Sequence, residues 1–112
     1  MRDIWILDAE GRRRHDLGGC GLSTDVWRAL YPVLDGDPEH PILARLWREH
    51  WGPGGDAVLS WDEVGALASE LESLRGQLGP EAPESVRELL DGWAALCAKA
   101  RERGDGLELV AD

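Results

Sequence analysis

The sequence predicts an α+β fold that is mostly helical, with about four helices and a small sheet of two or three strands. Three observations support this prediction. Apolar residues recur at spacings of three and four in four central segments, glycine and proline separate those segments, and both chain ends carry short apolar runs. A chain of 112 residues is long enough for one hydrophobic core. We therefore expect a single domain over residues 1–112.

The predicted sheet is formed by the N- and C-terminal segments. Ile4 to Leu7 is an apolar run between two aspartates, and Leu107 to Val110 alternates apolar and polar residues. We expect these two strands to pair and to pack on the helices. A second, polar strand is predicted over residues 12–17, and the glycine-rich stretch 18–21 is predicted as a loop.

The first two helices are predicted between residues 23 and 51. The first follows a cap at residues 23–25 and extends to Leu34, although Pro32 disturbs its end. The second begins near Pro41, a favourable first-turn residue, and runs to Trp51.

The last two helices have the clearest signals at their ends. Ser60 precedes Glu63 by three residues, which is a capping box: each side chain can accept a hydrogen bond from the other residue's backbone N–H. An apolar stripe follows, and Gly79 ends this helix. The last helix is predicted between Pro83 and Gly104, a natural C-terminal cap.

The charge of the chain favours a cationic partner. Its 22 acidic and 12 basic residues give a formal net charge of −10, which disfavours nucleic acid and anionic membrane surfaces as partners. From Trp61 onward, twelve acidic residues face five basic ones. We expect the acidic residues of the last two helices to face outward and to bind a basic protein; the candidates are Glu70, Glu72, Glu84, Glu88 and Asp91. The alternative is a solvated helical surface without a partner. The basic run at residues 12–15 is interpreted as a solvated hairpin edge.

The aromatic residues allow two interpretations. The chain has six tryptophans, one tyrosine and no phenylalanine, so tryptophan is expected to fill the core. Alternatively, one or two tryptophans line a ligand pocket or anchor a partner, as tryptophan does at binding hot spots. Trp51, just before a Gly-Pro break, is our candidate anchor. The alternative function is therefore a small-molecule-binding domain with a Trp-lined pocket, for sequestration or self-resistance.

No group of residues in the sequence indicates catalysis. Cys20 and His15 lack a third orienting group, and the glycines at 18–21 lack the Lys-Ser/Thr of a phosphate-binding loop. The stretch Asp35 to His40 lacks the ligand spacing of a calcium loop, and one histidine is too few for zinc. We expect a protein that is not an enzyme and has neither a metal nor a cofactor.

The cysteines and the N-terminus favour a cytoplasmic protein. Two cysteines are too few for a disulfide scaffold: Cys97 falls on the apolar face of the last helix, and Cys20 lies in the glycine-rich loop. The N-terminal apolar run of four residues is too short for a signal peptide, and no run is long enough to span a bilayer. The sequence leaves the oligomeric state open.

The C-terminal half resembles small immunity-type proteins of bacterial toxin systems. The segments LSWDEVGALASELESLR and LLDGWAALCAKARERGDGLELVAD combine a capped helix, a second helix that ends at a glycine, and a closing strand. The resemblance implies a cytosolic protein that binds and blocks one toxin, masking a basic active site with acidic residues. It assigns no role to individual residues.

Overall fold

A computed structural model describes residues 2–34, 38–51 and 56–110, and its architecture is α+β and mostly helical, as predicted. The elements in chain order are β1 (Arg2–Leu7), a 3-10 helix (His15–Leu17), β2 (Gly19–Leu22), α1 (Thr24–Ala29), α2 (Tyr31–Leu34), α3 (Pro41–Trp51), β3 (Ala57–Leu59), α4 (Trp61–Leu78), α5 (Glu84–Arg103) and β4 (Gly106–Val110).

The sheet confirms the predicted pairing of the chain ends but is larger than predicted. Its order is β2-β1-β4-β3, and every neighbouring pair is antiparallel. β1 and β4 pair from Asp3 opposite Val110 to Leu7 opposite Gly106. The prediction of two or three strands was wrong, because β2 and β3 extend the sheet to four.

The strand β2 lies in the glycine-rich stretch that was predicted as a loop. Gly19 pairs with Trp5, and a Cβ at Gly19 would lie 2.8 Å from the Trp5 ring and 2.9 Å from the carbonyl oxygen of Ile4. Glycine is therefore required here by the close approach of a neighbouring strand. Residues 12–17 form no strand; they contain the 3-10 helix and a single bridge between Arg13 and Leu7.

The helix ends mostly follow the sequence signals. At the start of α4, Glu63 N donates to Ser60 Oγ at 3.3 Å and Ser60 N donates to Glu63 Oε1 at 3.0 Å, which confirms the capping box. α5 ends at Arg103 and is capped by Gly104, whose φ of 74° is in the left-handed region that favours glycine. The first predicted helix was wrong in one respect: it is divided at Leu30 into α1 and α2.

One face of the sheet packs on the helices and forms a single hydrophobic core with them. The side chains of Ile4, Ile6, Leu107 and Leu109 on the two central strands are completely buried. α4 and α5 pack against each other, and α5 also contacts β2, β1 and β4. Cys97 is buried in this core, as predicted.

Three tryptophans form the centre of the helical layer. Trp27 packs edge-on against Trp47 and Trp93, with ring centroids 5.4 and 6.0 Å apart. All three side chains are buried, which confirms their interpretation as core residues. Trp61 differs, since 43% of it is exposed.

Candidate protein-binding surface

Glu70 was expected to face outward, but the structure contradicts this, since only 7% of the residue is exposed. Its two carboxylate oxygens accept hydrogen bonds from the backbone N–H groups of Ile42 and Leu43, in the first turn of α3. Those N–H groups have no partner within their own helix, and a carboxylate there is also favoured by the helix dipole. Glu70 therefore connects α4 to α3, and both of its carboxylate oxygens are used within the fold and not presented to a partner.

The sequence contains a signal for the burial of Glu70. Residue 70 is three positions after Leu67 and four before Leu74, and both leucines are completely buried. At helical spacing this places Glu70 on the apolar face of α4. A carboxylate on such a face needs hydrogen-bond donors from elsewhere in the fold.

The four remaining acidic candidates are exposed. Glu84, Glu88 and Asp91 are separated by four and three residues on α5, so they share one face of the helix. Glu72 lies on the neighbouring helix α4. We call these four residues the acidic face.

Most carboxylates of the acidic face are available for a partner. Among the described residues, Glu72, Glu84 and Glu88 have no ion-pair partner. Asp91 pairs with Arg75 of α4 at 2.8 Å, but half of the Asp91 side chain and 61% of the Arg75 side chain are exposed. Ion pairs this exposed contribute about 1 kcal/mol or less, so a partner's cation can compete with Arg75.

Two grooves lie beside this row of carboxylates. The first, between α4 and α5, has a volume of about 340 Å3 and is lined by Glu72, Arg75, Asp91 and four apolar residues: Ala68, Leu71, Leu90 and Ala94. We call it the α4/α5 groove. A lysine or arginine side chain packs its methylene groups along apolar surface, so one could lie on the apolar residues of this groove with its charged end near Glu72 or Asp91.

The second groove lies between β2, the start of α1 and the first half of α5, and we call it the β2 groove. Its volume is about 360 Å3. The lining residues are Cys20, Gly21, Ser23, Val26, Ser85, Glu88 and Leu89. Glu88 therefore lines the β2 groove, whereas Asp91, three residues later, lines the α4/α5 groove.

Neither groove is lined by tryptophan. Trp27, Trp47 and Trp93 are buried against one another in the core. Trp51, our predicted anchor, is the last residue of α3, and its side chain lies outside the described part of the structure.

The half-buried Cys20 is a weak nucleophile. Burial raises the pKa of its thiol, so the reactive thiolate is less populated than in a free cysteine. Its groove contains Glu88 but not His15, which instead packs against Trp5 with ring centroids 4.9 Å apart. Among the described residues, no group of three His, Cys, Asp or Glu side chains is arranged to hold a metal ion.

The basic run near the N-terminus is neutralised by nearby carboxylates. Arg13 pairs with Glu108 of β4, and this contact raises the pKa of the Arg13 guanidinium. Arg14 lies 3.4 Å from Asp16 and 3.3 Å from Asp105, and it lowers the pKa of the Asp16 carboxyl group. The run is thus a poor site for an anion.

Within the described ranges, no helix combines the length and the apolar composition that crossing a membrane would require. The chain matches no protein-family model, and comparisons with curated proteins and with solved structures found no similar protein.

Proposed function

We propose that this chain is a binding protein whose acidic face engages a basic protein partner, and that it acts as an immunity-type antagonist of a toxin. The observation that supports this most directly is the row of exposed carboxylates on α5, two of them without an ion-pair partner among the described residues, between two partly apolar grooves. The net charge of −10 acts in the same direction over a longer range.

The negative charge and the two grooves contribute differently to binding. The net charge and the acidic face attract a cationic partner and accelerate association, an effect that salt screens. The grooves accept the apolar parts of the partner's side chains, which slows dissociation because apolar area is removed from water. A basic active site covered in this way can no longer bind an anionic substrate.

The proposal is tested with two variants of equal charge. In the first, three residues of the acidic face are neutralised: Glu84→Gln, Glu88→Gln and Asp91→Asn. In the control, three exposed acidic residues elsewhere are neutralised: Glu10→Gln, Asp62→Asn and Glu102→Gln. Both variants have a net charge of −7, since three negative charges are removed from −10.

Candidate partners are the basic proteins encoded beside this gene, purified and measured by surface plasmon resonance at low and high salt. We expect the acidic-face variant to associate about tenfold more slowly than the wild type at low salt. The control should lose less than about threefold, because only the long-range attraction changes. In cells that express a toxic partner, the control variant should restore growth, whereas the acidic-face variant should not. Equal behaviour of the two variants contradicts the proposal.

A further inference from the structure

The strand β2 has a neighbour on one side only. It lies at the edge of the described sheet, paired with β1, so its backbone groups that point away from β1 have no strand partner there. Proteins commonly protect such edges with charged side chains, proline or a covering element. The sequence of β2, Gly-Cys-Gly-Leu, offers neither charge nor proline, and Gly19 and Gly21 are exposed.

Helix α5 forms the layer below this edge. The Sγ of Cys20 points toward α5, since a Cβ built on Gly92 would lie 3.6 Å from it. The β2 groove opens where Ser85, Glu88 and Leu89 of α5 meet β2. A strand added to β2 would continue the sheet over this part of α5. Because side chains alternate along a strand, every second one would enter the groove.

The groove has the chemistry for a lysine or arginine side chain. Val26 and Leu89 provide apolar contact for the methylene groups, and the hydroxyls of Ser23 and Ser85 can accept hydrogen bonds. The carboxylate of Glu88 has no ion-pair partner among the described residues. It can therefore pair with the charged end of such a side chain.

We infer that the basic partner binds by adding an extended segment to the free edge of β2, with a lysine or arginine side chain in the β2 groove beside Glu88. This inference rests on the proposed function and specifies its mode of recognition. Backbone hydrogen bonds to β2 would give affinity, and the groove would select the basic side chain.

The probe is a capped seven-residue peptide of alternating lysine and valine, titrated into 15N-labelled protein and followed by NMR. Two modified peptides are methylated on backbone nitrogens. One carries these methyl groups on its lysine residues and the other on its valine residues. In a strand, successive N–H groups point to opposite edges, so only one of these peptides loses the donors that face β2. We expect that peptide to bind about tenfold more weakly than the other.

A matched pair of protein variants tests the groove. Glu88→Gln should weaken binding of the unmodified peptide about fivefold or more, whereas Glu102→Gln, an exposed change near the other end of α5, should alter it less than twofold. The amide signals of residues 19–22 should shift on titration in both variants, at a higher peptide concentration for Glu88→Gln.

The outcomes separate this inference from the proposed function. Equal binding of the two N-methylated peptides, or shifts confined to α4, overturns strand addition. So does concentration-dependent pairing of residues 19–22 without peptide, because the edge would then bind a second copy of the chain. In each case, binding of the protein partner can still depend on Glu84, Glu88 and Asp91, and the proposed function would then stand. Loss of that dependence overturns the proposed function itself.

Discussion

Glu70 of α4 accepts a hydrogen bond from the backbone N–H of Leu43 in α3, with 3.0 Å between Glu70 Oε1 and Leu43 N. The other oxygen, Oε2, lies 3.1 Å from the backbone nitrogen of Ile42. A side chain 27 residues away therefore caps the start of α3.

Replacing Glu70 with alanine should lower the free energy of unfolding by about 2 kcal/mol, because the buried N–H of Leu43 and the partly buried N–H of Ile42 lose their charged acceptor. Urea denaturation at neutral pH measures this change. Glu72→Ala, two residues away and exposed, is the control and should change stability by less than about 0.5 kcal/mol. Similar losses for the two variants would mean that Glu70 does not stabilise α3.

The capping box of α4 should make stability depend on pH. The pKa of Glu63 lies below its usual value, first because the carboxylate accepts a hydrogen bond from the backbone N–H of Ser60 and also because Arg45 is nearby. Its stabilising contribution is complete above the ordinary pKa of 4.5 and is lost as the pH falls through the lower folded-state value.

Urea denaturation should therefore show that Glu63→Gln loses less stability than the wild type when the pH is lowered from about 5 to 3.

At neutral pH, Ser60→Ala should lower the free energy of unfolding by about 1 kcal/mol, since one end of the capping box is removed. Ser73→Ala, an exposed change inside α4, is the control and should not destabilise the protein. Parallel pH profiles of stability for the wild type and Glu63→Gln would exclude a stabilising contribution from the ionised Glu63 carboxylate.

Two glycines of α4 should respond differently to alanine. No atom lies within 4 Å of a Cβ built on Gly76, so Gly76→Ala should raise the free energy of unfolding by about 0.5–1 kcal/mol. A Cβ on Gly65 would lie 2.8 Å from Cζ of Arg101. This guanidinium stacks 3.5 Å from the centroid of Trp61 and donates to the Trp61 carbonyl oxygen at 2.9 Å.

Alanine at position 65 requires the Arg101 guanidinium to shift, which weakens these contacts. We therefore expect Gly65→Ala to be about 1 kcal/mol less stable than Gly76→Ala in thermal or urea denaturation. The double variant Gly65→Ala/Arg101→Ala should show no further loss from the Gly65 change. Equal stabilisation by the two single changes would show that the Arg101–Trp61 contact contributes nothing.

The two thiols should differ in reactivity. Burial raises the pKa of Cys97 to about 12 and raises that of the half-buried Cys20 as well. Because alkylation requires the thiolate, native protein should react with iodoacetamide more slowly than unfolded protein at pH 8, and Cys20 should react before Cys97. Mass spectrometry of the time course gives both rates, with Cys20→Ser as the assignment control. Rapid native labelling of Cys97 would contradict its burial.

The elements with strong local signals could be predicted from the sequence. The bounds of α3, α4 and α5 follow from proline at helix starts, the Ser60–Glu63 box and glycine at helix ends. β2 and β3 could not, because strands of four and three residues are determined by their neighbours in the sheet. The need for glycine at position 19, for example, comes from Trp5 and the carbonyl oxygen of Ile4 on the adjacent strand.

The candidate surface was also predictable only in part. Helical spacing was sufficient to place Glu84, Glu88 and Asp91 on one exposed face of α5. The same spacing places Glu70 on the apolar face of α4, but it does not identify the N–H groups that hold its carboxylate, because they belong to a different helix. The grooves depend on how α5 meets α4 and β2, which periodicity in one segment does not specify.

The edge-on contacts of Trp27 with Trp47 and Trp93 provide an optical signal for the assembly of the helical layer. The three rings come from α1, α3 and α5, and the indole N–H groups of Trp27 and Trp93 have no acceptor among the described residues. Their fixed, asymmetric arrangement should produce near-ultraviolet circular dichroism that disappears when tertiary packing is lost, even where helices persist. Ellipticity in that range therefore reports the docking of three helices without an added label.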